Sequence, residues 1–272
     1  MPPTISVAPT ISVAMIARNE EANLPRTLDS IRWADEIVIV DSGSTDRTPE
    51  IALAHGAKHI FNRDFQGFTP QKNLAIDACT SDWIYLLDAD EVIPPALAEE
   101  IRQTVAHPEF DAYWQPRLNL FLGRWIRHGG FYPDRKLRLF RRGVARMAGA
   151  EPHGSPQCSC PTGRLKNDLL HYAYPSFSQY LTHMNGYSSD GARILTGKHK
   201  TSASAAAFLA NAVFNPLLTF IKNYIFRWGF LDGREGFILH LNHSVYVHWK
   251  YVKAWEASRK TGGGGRKGDT ES

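Results

Sequence analysis

Acid is scarce in the second half of this 272-residue chain. Residues 1–116 hold 8 Lys/Arg and 18 Asp/Glu, and residues 117–272 hold 23 and 9. The halves therefore carry −10 and +14, which sum to the formal +4. A basic half so poor in acid suits an anionic partner: phospholipid, a phosphorylated glycan or nucleic acid. No recognisable nucleic-acid module accompanies it, so nucleic acid is not expected as a partner. Cysteine is scarce too. Cys79, Cys158 and Cys160 make an odd count, which excludes a disulfide framework and fits a reducing compartment. Cys158-Ser159-Cys160 stands near His153 and His171, but the spacing matches no usual structural zinc pattern. No Gly-x-Gly-x-x-Gly follows the first apolar run and there is no Walker loop, which disfavours a dinucleotide-binding domain and a P-loop. No basic n-region precedes an apolar core, so no secretory signal is expected. Long apolar runs are missing as well. Residues 201–221 carry no charge, yet Asn211, Asn215 and Pro216 interrupt them. That favours a hairpin or helix lying in a membrane interface over a span, with a packed soluble helix as the alternative.

What is present begins with a tandem PTISVA at residues 3–8 and 9–14; only the second copy leads into a longer apolar run. The first reads as a frayed extension. The chain then alternates strand-like and helix-like stretches. Ile11 to Ala17, Glu36 to Val40 and Lys58 to Asn62 read as strands, with helices near Leu24–Ile31, Ile51–Leu53 and 69–79. The alternation predicts βαβ units, a parallel sheet and right-handed crossovers.

The most informative stretch is Trp83-Ile84-Tyr85-Leu86-Leu87-Asp88-Ala89-Asp90-Glu91. An apolar run of that length predicts a strand buried on both faces. It ends in three carboxylates within four residues. Crowded carboxylates resist burial unless a cation compensates, and oxygen ligands suit Mg²⁺ or Mn²⁺. A metal–diphosphate site at the carboxyl edge of the sheet is one reading; a solvated acidic turn capping the next helix is the other. Arg18-Asn19 and Asp41-Ser42 follow the other strands and would line the same edge, with Asp41 as a solvent-facing carboxylate.

From residue 112 the texture changes. Tyr113–Leu118 and Lys136–Arg141 look like strands, and residues 117–146 hold nine Lys/Arg against one acid, Asp134. Leu137 and Leu139 alternate with Lys136 and Arg138, which fits either a solvated basic hairpin or a phosphate-facing groove. After residue 175 the chain is helical and aromatic. The expected organisation is a catalytic domain over 10–170, a helical, membrane-associated region over 175–260 and a disordered tail over 261–272.

Four segments carry a resemblance: residues 16–21 (IARNEE), 41–48 (DSGSTDRT), 71–73 (QKN) and 83–91 (WIYLLDADE). In that order they resemble the inverting family 2 glycosyltransferases of GT-A fold. Asp-Ala-Asp-Glu, Tyr132-Pro133-Asp134 and the helical C-terminus look closest to the lipopolysaccharide-core branch. The resemblance implies an α/β, Rossmann-like, mostly parallel sheet with a helical C-terminal region. It implies that Ala17, Arg18, Asn19 and Glu20 border the nucleobase and ribose, that Asp41 bonds the base, usually uracil, and that Lys72 approaches the diphosphate. Asp88 would face the ribose or sugar and share a divalent cation, Mg²⁺ or Mn²⁺, with Asp90. Many relatives place a His-Glu pair after the basic hairpin as the source of the general base. Here it reads His153-Gly154, so Glu151, Asp134 and His153 are the candidates. The partners implied are a nucleotide-sugar donor, a lipid-linked or lipopolysaccharide glycan acceptor and an anionic membrane surface, with the protein peripheral on the cytoplasmic face of the inner membrane. A polyprenyl-phosphate glycosyltransferase and a non-catalytic sugar-nucleotide binder are the competing readings.

Overall fold

A computed structural model describes residues 8–149, 154–198 and 200–262. The chain divides into two compact units, Met1–Asn119 with Pro133–Ala173, and Leu120–Tyr132 with Tyr174–Ser272. Residues 120–132, which the sequence groups with the catalytic domain, thus belong to the second unit. Residues 1–7, with most of the first PTISVA copy, and 263–272, most of the expected tail, lie outside the described residues.

The chain runs β1 (Ile11–Ala17), α1 (Leu24–Asp29), β2 (Glu36–Asp41), α2 (Thr48–Ala54), β3 (Lys58–Phe61), α3 (Phe68–Asp77), β4 (Trp83–Asp88), β5 (Glu91–Val92) and α4 (Pro95–Ala106). Then come β6 (Ala112–Phe121), β7 (Arg124–Ile126), β8 (Asp134–Arg141), β9 (Arg146–Ala148), β10 (Ser155–Gln157), β11 (Gly163–Arg164) and β12 (Leu169–Tyr174). The main sheet has the order β3-β2-β1-β4-β8-β6-β12-β5. Its first four strands are parallel. Beyond β4 it turns antiparallel, through β8 to β6, and β5 pairs antiparallel with β12. The sheet is therefore mixed, with the parallel half as expected.

The period-two rule explains the burial. Val13, Met15, Ile39, Tyr85 and Leu87 join one apolar cluster, while Ala14, Val38, Val40, Ile84 and Leu86 join another. Residues adjacent in sequence thus point to opposite faces, each face is covered, and the strands read as continuous apolar runs. Each Leu or Ile so buried contributes roughly 2 kcal/mol. Proline falls in the first turn of α1, α2 and α4, where no backbone N–H is lost from the helix.

In the second unit Ser176 caps α5 (Phe177–Gly197), its hydroxyl accepting from the Gln179 N–H. A helical stretch over Ala205–Phe226 follows, in which π turns at Leu209–Phe214 and Ile221–Phe226 alternate with α turns. The last helix spans Gly233–Gly262. Phe121, Ile126, Tyr180, Met184 and Leu239 form this unit's core.

Candidate active site

The three loops at the carboxyl edge of the parallel strands interlock. Asn19 adopts φ 56°, a left-handed conformation that asparagine tolerates. Its N–H donates to Ser44 Oγ at 2.9 Å and its Oδ1 accepts from the Thr45 N–H at 2.8 Å. The Glu20 N–H donates to Thr48 Oγ1 at 2.7 Å. Arg-Asn-Glu and Asp-Ser-Gly-Ser-Thr are therefore two halves of one structure. Arg18 is exposed on it and Ala17 is buried at the end of β1. Burial raises the Glu20 carboxyl above its usual range; the Asn23 amide opposes this, and Asp90, Asp46 and Asp88 add to it.

Asp41 departs from expectation. It is fully buried rather than solvent-facing. Its Oδ1 accepts from the N–H groups of Gly43 (2.8 Å) and Ser44 (2.7 Å), and Oδ2 lies 3.3 Å from His59 Nε2. A carboxylate at a strand end followed by Ser-Gly-Ser satisfies its own turn, as Asx turns do. Here it shapes the loop.

The acidic turn after β4 is held at every backbone step. The Asp88 N–H donates to Glu91 Oε2 (2.9 Å), Ala89 O accepts from Thr27 Oγ1 (2.7 Å) and Asp90 O accepts from the Tyr172 N–H (3.0 Å). Two of the three carboxylates, Asp88 and Glu91, share Arg138, and Asp90 stands apart. Glu91 is fully buried, and its Oε1 accepts from Arg138 Nη2 (2.6 Å) and Arg117 Nη1 (3.0 Å). Asp88 is bracketed by Lys72 Nζ (2.6 Å) and Arg138 Nη2 (2.7 Å). Burial pushes its carboxyl upward, but Arg138 and Lys72 outweigh that and hold it well below the usual range. Asp90 meets a different partner, His171 Nε2 at 3.2 Å, while His171 Nδ1 lies 2.6 Å from Asn119 Oδ1. Burial raises Asp90, and the hydrogen bond and charge of His171 bring it below the usual range.

His171 is the residue that sequence reasoning missed here. Its neighbour in the sheet explains its position: β12 pairs with β5 in a register that sets His171 opposite Glu91. Arg138 also departs from expectation. It faces neither solvent nor an open groove; it is 4% exposed, because β8 lies between β4 and β6 and is covered on both faces. Asp134 accepts from Arg117 Nη2 (2.6 Å) and Nε (3.0 Å) and pairs with Lys136 (3.1 Å). Burial raises its carboxyl, yet Arg117 and Lys136 bring it below the usual range. Glu151 and His153 lie outside the described residues. At position 154 a Cβ would come within 2.0 Å of Thr69 Oγ1. Glycine fits there and a longer side chain requires Thr69 to move.

Among the described residues no group of three or more His, Cys, Asp or Glu is gathered as a metal site. Asp90 and His171 supply two donors. That is a fitting protein share for Mg²⁺ or Mn²⁺, which take the rest of their shell from phosphate oxygens and water. Asp88, the other expected ligand, has its oxygens engaged by Lys72 and Arg138.

The same geometry fixes an acid limit. Asp88, Asp90 and Asp134 all have depressed folded-state values, so the unfolded chain takes up protons first as pH falls. Their stabilisation is complete above the unfolded carboxylate value of about 4 and is lost progressively below it. Glu20, raised, works the other way and offsets a part. Burial pushes His240 and His243 down to about 4, so the thermal midpoint should already decline as pH falls below the ordinary histidine value, and below about pH 4 the loss of the three carboxylates should steepen the drop. Asp88→Asn should drop less steeply below that point; parallel slopes for both proteins would refute the charge network as its source.

The family model for glycosyl transferase family 2 matches residues 12–159. An uncharacterized glycosyltransferase of Rickettsia typhi is 30% identical over 264 residues, covering 92% of this chain and 88% of that protein. The lipopolysaccharide core biosynthesis glycosyltransferase LpsC of Rhizobium meliloti is 26% identical over 260 residues, covering 90% and 92%. Among solved structures, a Mycobacterium tuberculosis glucosyl-3-phosphoglycerate synthase with Mn²⁺, uridine diphosphate and glucosyl-3-phosphoglycerate is 26% identical, with a TM-score of 0.35 over 41% of this chain and 44% of that one. The chain is a glycosyltransferase of family 2, with the GT-A fold.

Proposed function

We propose that this glycosyltransferase moves a sugar, with inversion, from a uridine-diphosphate-linked donor to a hydroxyl of a lipid-linked glycan of the lipopolysaccharide-core type. The carrying observation is the pairing of Asp90 with His171 beside the Lys72–Asp88–Arg138 cluster, at the edge where the parallel strands end. The similarity to LpsC over nearly the whole chain supports the acceptor class. Asp90 and His171 would hold a divalent cation, which would supply neutralisation of the leaving diphosphate. Lys72 lies on α3 with its ammonium at this edge, and turning from Asp88 toward a phosphate oxygen costs it little, since its stem is flexible. Arg138 and Arg117 are too enclosed to follow; they keep Asp88 ionised and fixed against the sugar.

The base takes a proton from the acceptor hydroxyl on the face away from the leaving group. Asp134 is poorly suited, because two cations hold both its oxygens and lower its basicity. Gly154 has no group to offer. Glu151 is the remaining carboxylate and is assigned as the base, with His153 as the alternative. Glu151→Gln should lower kcat by about 10²–10⁴ while nucleotide affinity changes little. If Asp134→Asn or His153→Ala has that effect and Glu151→Gln does not, the assignment fails. For the donor, thermal stabilisation by a panel of nucleotide sugars with and without Mn²⁺ is the direct test. No metal-dependent shift with any of them would remove the donor reading.

A further inference from the structure

We infer that the helical stretch Ala205–Phe226 lies in the plane of a lipid bilayer, with its outer face among the acyl chains and its ends at anionic headgroups. This goes beyond the transfer reaction and does not depend on it.

The helix is built inside out. A soluble surface helix turns its apolar stripe inward and its polar side to water. Here Leu209, Val213, Phe214, Leu217, Leu218 and Phe226 point outward, between 47% and 75% exposed. The polar residues point inward. Asn211 Nδ2 donates to Ser202 Oγ (3.1 Å) and Asn215 Nδ2 to Tyr251 Oη (3.2 Å), while His248 Nδ1 lies 2.6 Å from Ala212 O. Asn223 is buried. By length and composition the stretch is apolar enough to cross a membrane, yet only 11% of that apolar window is buried. A soluble core helix of such composition would bury most of it. Internal hydrogen bonds with an apolar exterior are what hydrocarbon, and not water, selects.

The backbone serves the same end. The outward residues fall on a four-residue spacing at Leu209, Val213 and Leu217 and again at Ile225, with the half-buried Ile221 between. An α-helix of 3.6 residues per turn would let such a stripe drift around the axis. The two π turns, with their wider i→i+5 closure, offset the drift and keep the stripe on one side.

The surroundings fit a bilayer with anionic headgroups. Lys222, Arg227 and Trp228 are exposed at the end of the stripe, as in the basic and aromatic fringe at headgroup level. Residues 198–260 hold nine Lys/Arg against three acids, Asp232, Glu235 and Glu256. The helix lies flat and does not span, because its other face is bound to the helix Gly233–Gly262. That companion carries His240, Asn242, Lys250 and Lys253, which do not enter hydrocarbon.

The test is sedimentation of the whole protein with vesicles of phosphatidylethanolamine and phosphatidylglycerol. Binding is expected at low salt, weaker at high salt and weaker again on phosphatidylcholine alone. Phe214→Asp/Leu218→Asp should reduce partitioning roughly 100-fold, since two large apolar side chains no longer insert. Both residues are more than half exposed, so the thermal midpoint should not change. A second readout needs no such variant: vesicles with brominated acyl chains should quench Trp228, and Trp228→Phe should remove that quenching. Alkaline carbonate should release the bound protein. No vesicle binding by the wild type would overturn the inference, as would a dimer that the double variant dissociates in its place. Resistance to carbonate would mean a spanning segment and would overturn the flat placement.

Discussion

Asp90→Ala should abolish transfer, by about a thousandfold or more, and with it the metal dependence of donor binding. The size follows from what the residue does. Neutralising a leaving diphosphate is worth several kcal/mol in the transition state, and in the proposed site Asp90 is the anionic one of the two donors. The fold should lose only the Asp90–His171 pairing. Asp90 is on a turn whose backbone bonds are made by Ala89 O, Asp90 O and the Asp88 N–H, none of which needs the Asp90 side chain. His171→Ala should cost less, about 10- to 100-fold, because it removes a neutral donor and a positioning contact to Asp90. Asp88→Asn should differ in kind. It unbalances Lys72 and Arg138, so it should raise the donor concentration needed for half-saturation while leaving metal dependence in place. The decisive measurement is turnover across a Mn²⁺ titration. Full turnover by Asp90→Ala in the presence of a chelator would end the metal-site reading.

Much of this centre is legible in the linear sequence, and the reasons are physical. Strands buried on both faces need unbroken apolar runs, so β1, β2 and β4 stand out, and the acids at the end of β4 stand out by contrast. What the sequence hides depends on long-range pairing. His171 is 81 positions from Asp90 and looks like any histidine in a strand; only the two-residue ladder between β5 and β12 brings them together. Arg138 misleads for a related reason. Leu137-Arg138-Leu139 reads as an alternating, half-exposed strand. The burial of every residue from Leu137 to Phe140 follows from a place between two strands, which pattern alone does not give. Asp41 misleads in its exposure: a strand-end acid before Ser-Gly-Ser reads as solvent-facing, and here it is buried with Oδ1 accepting from its own turn. In residues 201–221 the interrupting asparagines look like marks against a membrane helix. The structure turns them inward, where they bind Ser202 and Tyr251.

The third acid of the motif leads to the other large effect, and it is on stability. Glu91→Leu should lower the unfolding free energy by about 3–5 kcal/mol, the usual result of removing one partner from a buried ion pair. Glu91 accepts from Arg138, Arg117 and the Asp88 N–H, so its loss takes one acceptor from each of the three. Arg138 would keep Asp88, and Arg117 would keep Asp134, but two enclosed guanidinium groups would face each other with one carboxylate fewer between them. For a unit of this size that corresponds to a fall in Tm of roughly 10 °C. Glu91→Gln should cost less, because its amide oxygen can still accept one bond while the charge is lost. The comparison with Asp90→Ala separates structure from chemistry within a single turn. One substitution should remove activity with only a small fall in Tm, from the lost Asp90–His171 pairing, and the other should lower Tm strongly with metal-dependent donor binding retained below the new midpoint. Equal midpoints for Glu91→Leu and the wild type would show that the buried charges are satisfied without Glu91, and the assignment of Glu91 to the scaffold would fall.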